Sequence, residues 1–176
     1  MDKMLEYFIR EPEREFHVRE LAKLMKKSPT TTSKHLSKLK KGGLLNSRKR
    51  LNHLLFKANA ENPLFRTEKL AYNLIRMAES GLIGHLVEEY NNPEAIILFG
   101  SFAKAEDIPK SDIDLLVVTP IRKELNLQKF EKYLGHKIHL FSHSKDDIEK
   151  MKSKNKELLN SLVNGIVIEG LWEIFR

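Results

Sequence analysis

The chain has no cysteine, a single tryptophan and no apolar run approaching the roughly 20 residues that span a bilayer. Without cysteine there are no disulfides and no thiolate metal sites. The N-terminal stretch MDKMLEYFIREPEREF lacks an uninterrupted apolar core, so it reads as an amphipathic helix and not as a secretory signal. Together these absences give the expectation of a cytoplasmic protein with no membrane partner. Acidic residues are also scarce in one place. From Arg19 to Lys57 there are twelve Lys/Arg and one acid, Glu20, whereas residues 1–18 and 58–176 each carry a net −2. The overall charge of +7 therefore comes from one short block, which suits a polyanion better than it serves general solubility. A hydrophobic fraction of 41% and a charged fraction of 31% fit a folded protein and argue against a disordered one.

Periodicity divides the 176 residues into two domains, 1–60 and 61–176, the second including connecting helices over 61–92. In the first, Met4, Leu5, Phe8 and Ile9 mark a helix, and Val18, Leu21, Leu24 and Met25 a second. In SPTTTSKHLSKLKKGG, Ser28 is an N-cap, Pro29 suits the first helical turn, Leu36 and Leu39 form a buried stripe, and Gly42-Gly43 ends the helix. Two short strands around Arg48-Lys49-Arg50 follow. In the second domain, EAIILFG, DIDLLVVT and KIHLF read as strands, with helices expected over 101–106, 122–134, 144–151 and 155–163 and a last extended piece in GIVIEG.

With Leu36 and Leu39 inward, Thr30, Thr31, Ser33, Lys34, Ser37, Lys38 and Lys41 are left to face outward. This face has no acid, unlike the Glu/Lys mixture of an ordinary solvated helix. Short polar and basic side chains on the third helix are what major-groove recognition needs, and Arg48, Lys49 and Arg50 suit phosphate or minor-groove contact. The segment resembles the winged-helix regulators of bacteria and archaea through HVRELAKLMKKSPTTTSKHLSKLKKGGLL and the basic hairpin after it. That resemblance implies binding of double-stranded DNA, commonly as a dimer, with Leu70, Leu74 and Met77 as a candidate seam. His17, His35 and His53 match no metal-ligand spacing and read as structural.

The stretch GSFAKAEDIPKSDIDLLVV carries the other chemistry. Residues two apart on a strand share a face, so Asp112 and Asp114 project together. Two adjacent carboxylates repel one another and coexist readily around a divalent cation, which would also bind nucleotide phosphates. Gly100 permits a sharp turn, and Ser101 with its N–H suits a phosphate oxygen. By spacing alone, turn chemistry and solvation also account for such a pair. The stretch resembles the nucleotidyltransferase fold of the DNA polymerase beta superfamily, in its minimal branch, through Gly100, Ser101, Ala103, Ser111, Asp112, Ile113, Asp114 and Leu115. The resemblance implies a fold class of α+β, with a winged helix-turn-helix followed by a small α/β unit on a mixed sheet. It further implies Mg²⁺ on Asp112 and Asp114, ATP or another nucleoside triphosphate held near Gly100, Ser101 and Ser111, and nucleotidyl transfer. Two positions depart from the pattern. Ala105 replaces a glycine, and His139 in KIHLF stands where the family places a third catalytic carboxylate. Three readings stay open: a DNA-binding regulator with a nucleotide-binding, weakened transferase unit; an active transferase delivered by its winged helix; or a C-terminal unit serving only dimerisation or partner contact.

Overall fold

Two compact units form, Met1–Tyr72 and Asn73–Arg176, and the division falls inside a single helix. The computed structural model describes residues 1–51 and 53–173.

In the first unit the apolar stripes become α1 (Leu5–Arg10), α2 (Val18–Leu24) and α3 (Pro29–Lys41). Ser28 caps α3 as expected, its Oγ accepting the Thr31 N–H at 3.1 Å. Three antiparallel strands, β1 (Phe16–His17), β2 (Leu45–Arg50) and β3 (His53–Ala58), lie in the order β1-β3-β2. The core gathers Phe8, Phe16, Leu21, Leu36, Leu45 and Phe56. Of the apolar positions that mark α2, Leu21 is buried together with Ala22, whereas Leu24 is exposed.

The dividing helix is α4 (Pro63–Glu79). The second unit continues with α5 (Leu82–Glu89), β4 (Ala95–Phe99), α6 (Gly100–Ala103), β5 (Ile113–Val118), α7 (Gln128–Leu134), β6 (Ile138–His143), α8 (Lys145–Lys154), α9 (Lys156–Val163) and β7 (Ile166–Gly170). Its sheet runs β6-β5-β4-β7; β5 and β6 are parallel, and the other pairs are antiparallel. The mixed sheet is thus the one expected. β4 throughout, and β5 apart from Asp114, are apolar without alternation because both faces are covered. Ile96, Leu98, Leu115 and Val117 join one cluster with Met77, Leu86 and Phe130. Ala95, Ile97, Phe99, Leu116 and Val118 join another with Ile148, Leu159 and Leu162.

Three expectations change here. The helix expected from residue 122 begins only at Gln128; a local turn precedes it, with the Gln128 N–H donating to Asn126 Oδ1 at 3.1 Å, and the Tyr90 hydroxyl donates to the Lys123 carbonyl. The helix expected over 101–106 stops at Ala103, because Ala105 turns left-handed at φ +56°. Met77 is fully buried in the core of the second unit, with Leu74 packed on the same cluster, so these two do not form an open seam.

Candidate functional site

Asp114 is the centre of the candidate site in the second unit. It pairs with Phe99 across the antiparallel ladder on one side and with His139 across the parallel ladder on the other. Chain order supplies the rest. Gly100 follows Phe99 directly and takes φ +71°, a left-handed conformation that glycine adopts at little cost. A Cβ built on Gly100 would lie 2.3 Å from Asp114 Oδ2. The bare backbone at 100 is therefore what lets the carboxylate sit against the start of α6.

His139 faces both acids. Its Nδ1 lies 3.5 Å from Asp114 Oδ1, and its Nε2 lies 3.6 Å from Asp112 Oδ2. Both contacts are longer than an ordinary hydrogen bond and amount to loose ionic approaches. Burial pushes the Asp114 carboxyl above its ordinary pKa; His139 pulls it back, and the charge on Asp112 pushes it up again, with a net rise. Asp112 does not share the strand with Asp114. β5 begins at Ile113, whose N–H is taken by the Lys137 carbonyl, and Asp112 stands one residue before the ladder. The two carboxylates still converge, because His139 reaches each through a different ring nitrogen.

Ser111 is engaged in a turn. Its Oγ accepts the Ile108 N–H at 2.9 Å, and its carbonyl is bonded by His136 Nδ1 at 2.8 Å. The residue braces the loop carrying Asp112. Ser101 is half-buried in α6. Among the described residues, no group of three or more His, Cys, Asp or Glu side chains is arranged to hold a metal ion. Asp112 and Asp114 offer hard oxygen donors for one divalent cation if further oxygens arrive with a ligand, and the slot between Gly100 and Asp114 accepts no side chain. The side chain beside Asp114 on β6 is the imidazole of His139, which offers a nitrogen and no carboxylate oxygen.

In the first unit, Thr30, Thr31, Lys34, Ser37, Lys38 and Lys41 are exposed on α3, opposite the buried Thr32, Leu36 and Leu39. Ser33, expected to be fully outward, is half-buried. Arg48, Lys49 and Arg50 are exposed at the end of β2. Arg48 already has a partner, because Glu15 binds its guanidinium. His35 bonds Asp2 at 2.6 Å, and Asp2 also accepts the Met4 and Leu5 N–H groups at the start of α1. His17 and His53 meet edge to face with ring centroids 5.2 Å apart. The three histidines thus stay structural.

Sequence periodicity gave no sign of Glu15, Asp2 or the buried pair Asn73–Asp107, bonded at 2.8 Å. Each meets a partner distant in sequence, which periodicity does not record.

Two family models match the chain. Residues 82–170 match polymerase beta nucleotidyltransferase, and residues 4–47 match the arsR family of bacterial regulatory proteins. No curated protein and no solved structure matches. No helix among the described residues is long and apolar enough to cross a membrane.

Proposed function

The chain belongs to the polymerase beta nucleotidyltransferase family and carries an arsR-type helix-turn-helix ahead of that domain, and on this premise we propose a DNA-binding regulator whose second unit binds a nucleoside triphosphate with one divalent cation and transfers nucleotidyl groups weakly or not at all. The observation that carries this reading is His139 standing in register beside Asp114. Asp112 and Asp114 would hold the cation, with phosphate oxygens completing its shell. Bound there, Mg²⁺ would neutralise phosphate charge. Gly100 and Ser101 would let the phosphates approach the backbone at the start of α6.

An imidazole is a poor ligand for Mg²⁺, so the place that would recruit a second ion toward an acceptor is weakened. His139 also brings positive charge when protonated, which favours anionic phosphates next to the acids. The reactive end of the site therefore retains binding groups while losing one carboxylate.

On the DNA side, Thr30, Thr31, Lys34, Ser37, Lys38 and Lys41 would face the major groove of double-stranded DNA. Lys49 and Arg50 would contact the backbone. A homodimer on two half-sites would raise affinity through effective concentration.

Calorimetric titration of ATP with Mg²⁺, alongside transfer from α-labelled ATP, tests the site. Binding abolished by Asp114→Ala with little transfer is the expected result. Robust transfer by the unmodified protein would refute the weakened-catalysis reading and favour an active transferase using His139 as a base. Binding of duplex DNA that falls steeply with salt is expected from the first unit, at about 0.9 log units per log unit of salt for each phosphate neutralised.

A further inference from the structure

We propose that Phe141, backed by Phe99, is the platform on which the base of the bound nucleotide stacks. The inference rests on the nucleotide-binding reading above and names a base subsite for it.

Alternation along β5 places Asp114, Leu116 and Val118 on one face of the sheet, the face covered by Ile148, Leu159 and Leu162. In the parallel ladder His139 lies beside Asp114, and Phe141 lies beside Leu116. Phe99, the partner of Asp114 across β4, belongs to the same face. Four side chains thus share one surface: Phe99, Asp114 and His139 in one cross-strand row, with Phe141 in the next row beside Leu116.

The two phenylalanines differ in exposure. Phe99 is buried at 6%, whereas Phe141 is 39% exposed. Their ring centroids are 5.7 Å apart at an interplanar angle of 51°. Phe99 therefore supports Phe141 from the interior and leaves part of the outer ring to solvent. A single exposed phenylalanine is unremarkable on most surfaces. This one sits two residues along β6 from His139, a strand distance of about 7 Å. A nucleotide whose phosphates lie at Asp112 and Asp114 has its base one sugar away, within reach of that ring.

Stacking on a phenyl face tolerates any base and favours the larger ring system. The site would hold ATP and GTP similarly, and CTP and UTP less well. Base identity would then be set weakly, which suits a nucleotide sensor more than a selective polymerase.

The test uses the full chain with Mg²⁺ and two ligands, ATP and inorganic tripolyphosphate, titrated by calorimetry. Phe141→Leu keeps an apolar contact with Phe99 but removes the aromatic face, and its fold is checked by thermal melting. It should weaken ATP roughly tenfold while leaving tripolyphosphate unchanged. Phe141→Trp should retain ATP affinity, and its fluorescence should quench with ATP but not with tripolyphosphate, relative to the unmodified chain with Trp172 alone. Equal loss of both ligands in Phe141→Leu, or no loss of either, overturns the platform while nucleotide binding stands. Failure of the unmodified chain to bind either ligand overturns the nucleotide-binding reading and the platform with it.

Discussion

Arg48 grips Glu15 with both ends of its guanidinium, Nε to Oε1 at 2.5 Å and Nη2 to Oε2 at 2.7 Å. The hydrogen bond from Arg48 is the leading reason the Glu15 carboxyl lies below its ordinary pKa. Within the most basic part of the chain, one of the cations offered to DNA is thus already neutralised.

Glu15→Gln should release Arg48 and add about one phosphate contact, steepening the salt slope by about 0.9. Fluorescence anisotropy with a duplex over a range of salt reads this directly. Lys49→Ala with Arg50→Ala should flatten the slope, whereas Arg48→Ala should change it less. An equal effect of all three cations would show that Glu15 does not hold Arg48 back.

His139→Asp should increase Mg²⁺ affinity in the presence of ATP, because it restores a hard oxygen donor beside Asp114. Transfer from α-labelled ATP to a permissive acceptor should rise with it. In both backgrounds Asp114→Ala should remove Mg²⁺-dependent nucleotide binding. A His139→Asp protein with unchanged Mg²⁺ affinity would mean that the third position does not face the cation.

Ala105→Gly should stabilise the protein. The left-handed conformation costs an ordinary L-residue about 1–2 kcal/mol, and the extra freedom of an unfolded glycine returns about 0.5–1 kcal/mol of that. The net gain should be about 0.5–1 kcal/mol, visible as a rise of a few degrees in Tm. A drop in Tm would mean that the buried Ala105 methyl contributes more by packing than its backbone costs.

Asp147 should set part of the acid limit. Ser144, through its hydroxyl and its N–H, leads the effects that hold the Asp147 carboxyl down at about 2, with Arg122 adding to them. A depressed carboxyl stabilises fully above its unfolded pKa of about 3.9 and loses that contribution as pH falls through the folded value. Asp147→Asn should therefore reduce Tm at neutral pH, with the difference shrinking between about pH 4 and 2. A constant difference across that range would assign the effect to packing alone.

Local chemistry was legible in the sequence wherever one residue type decides one conformation. Ser28-Pro29 marked the start of α3, Leu36 and Leu39 marked its inner face, and the short apolar runs in EAIILFG and DIDLLVVT marked two strands buried on both faces. The place of His139 near Asp114 follows from the resemblance to the nucleotidyltransferase pattern and not from periodicity, and the parallel pairing of β5 with β6 puts the two side by side. Long-range partners left no periodic trace. Glu15 finds Arg48, and Asp2 finds His35, only after the chain has folded back on itself. Ala105 replaces a glycine of the family pattern, yet its backbone keeps the turn that a glycine would make. The helix expected from residue 122 starts only at Gln128, because the chain before it is held by the Tyr90 hydroxyl on the Lys123 carbonyl and by a local turn at Asn126, which periodicity does not record.

The order of the sheet strands has a consequence for biosynthesis. β4 lies between β5 and β7, and β7 is the last strand among the described residues. Once β4 and β5 have emerged from the ribosome they can pair, but the far edge of β4 stays bare until β7 follows. That edge belongs to AIILF, five residues that are all buried once folding is complete. An unpaired apolar edge of this kind recruits other strands. A message cut short between β6 and β7 would thus yield a chain with its acidic site in place and a sticky border beside it, a product for quality-control proteases.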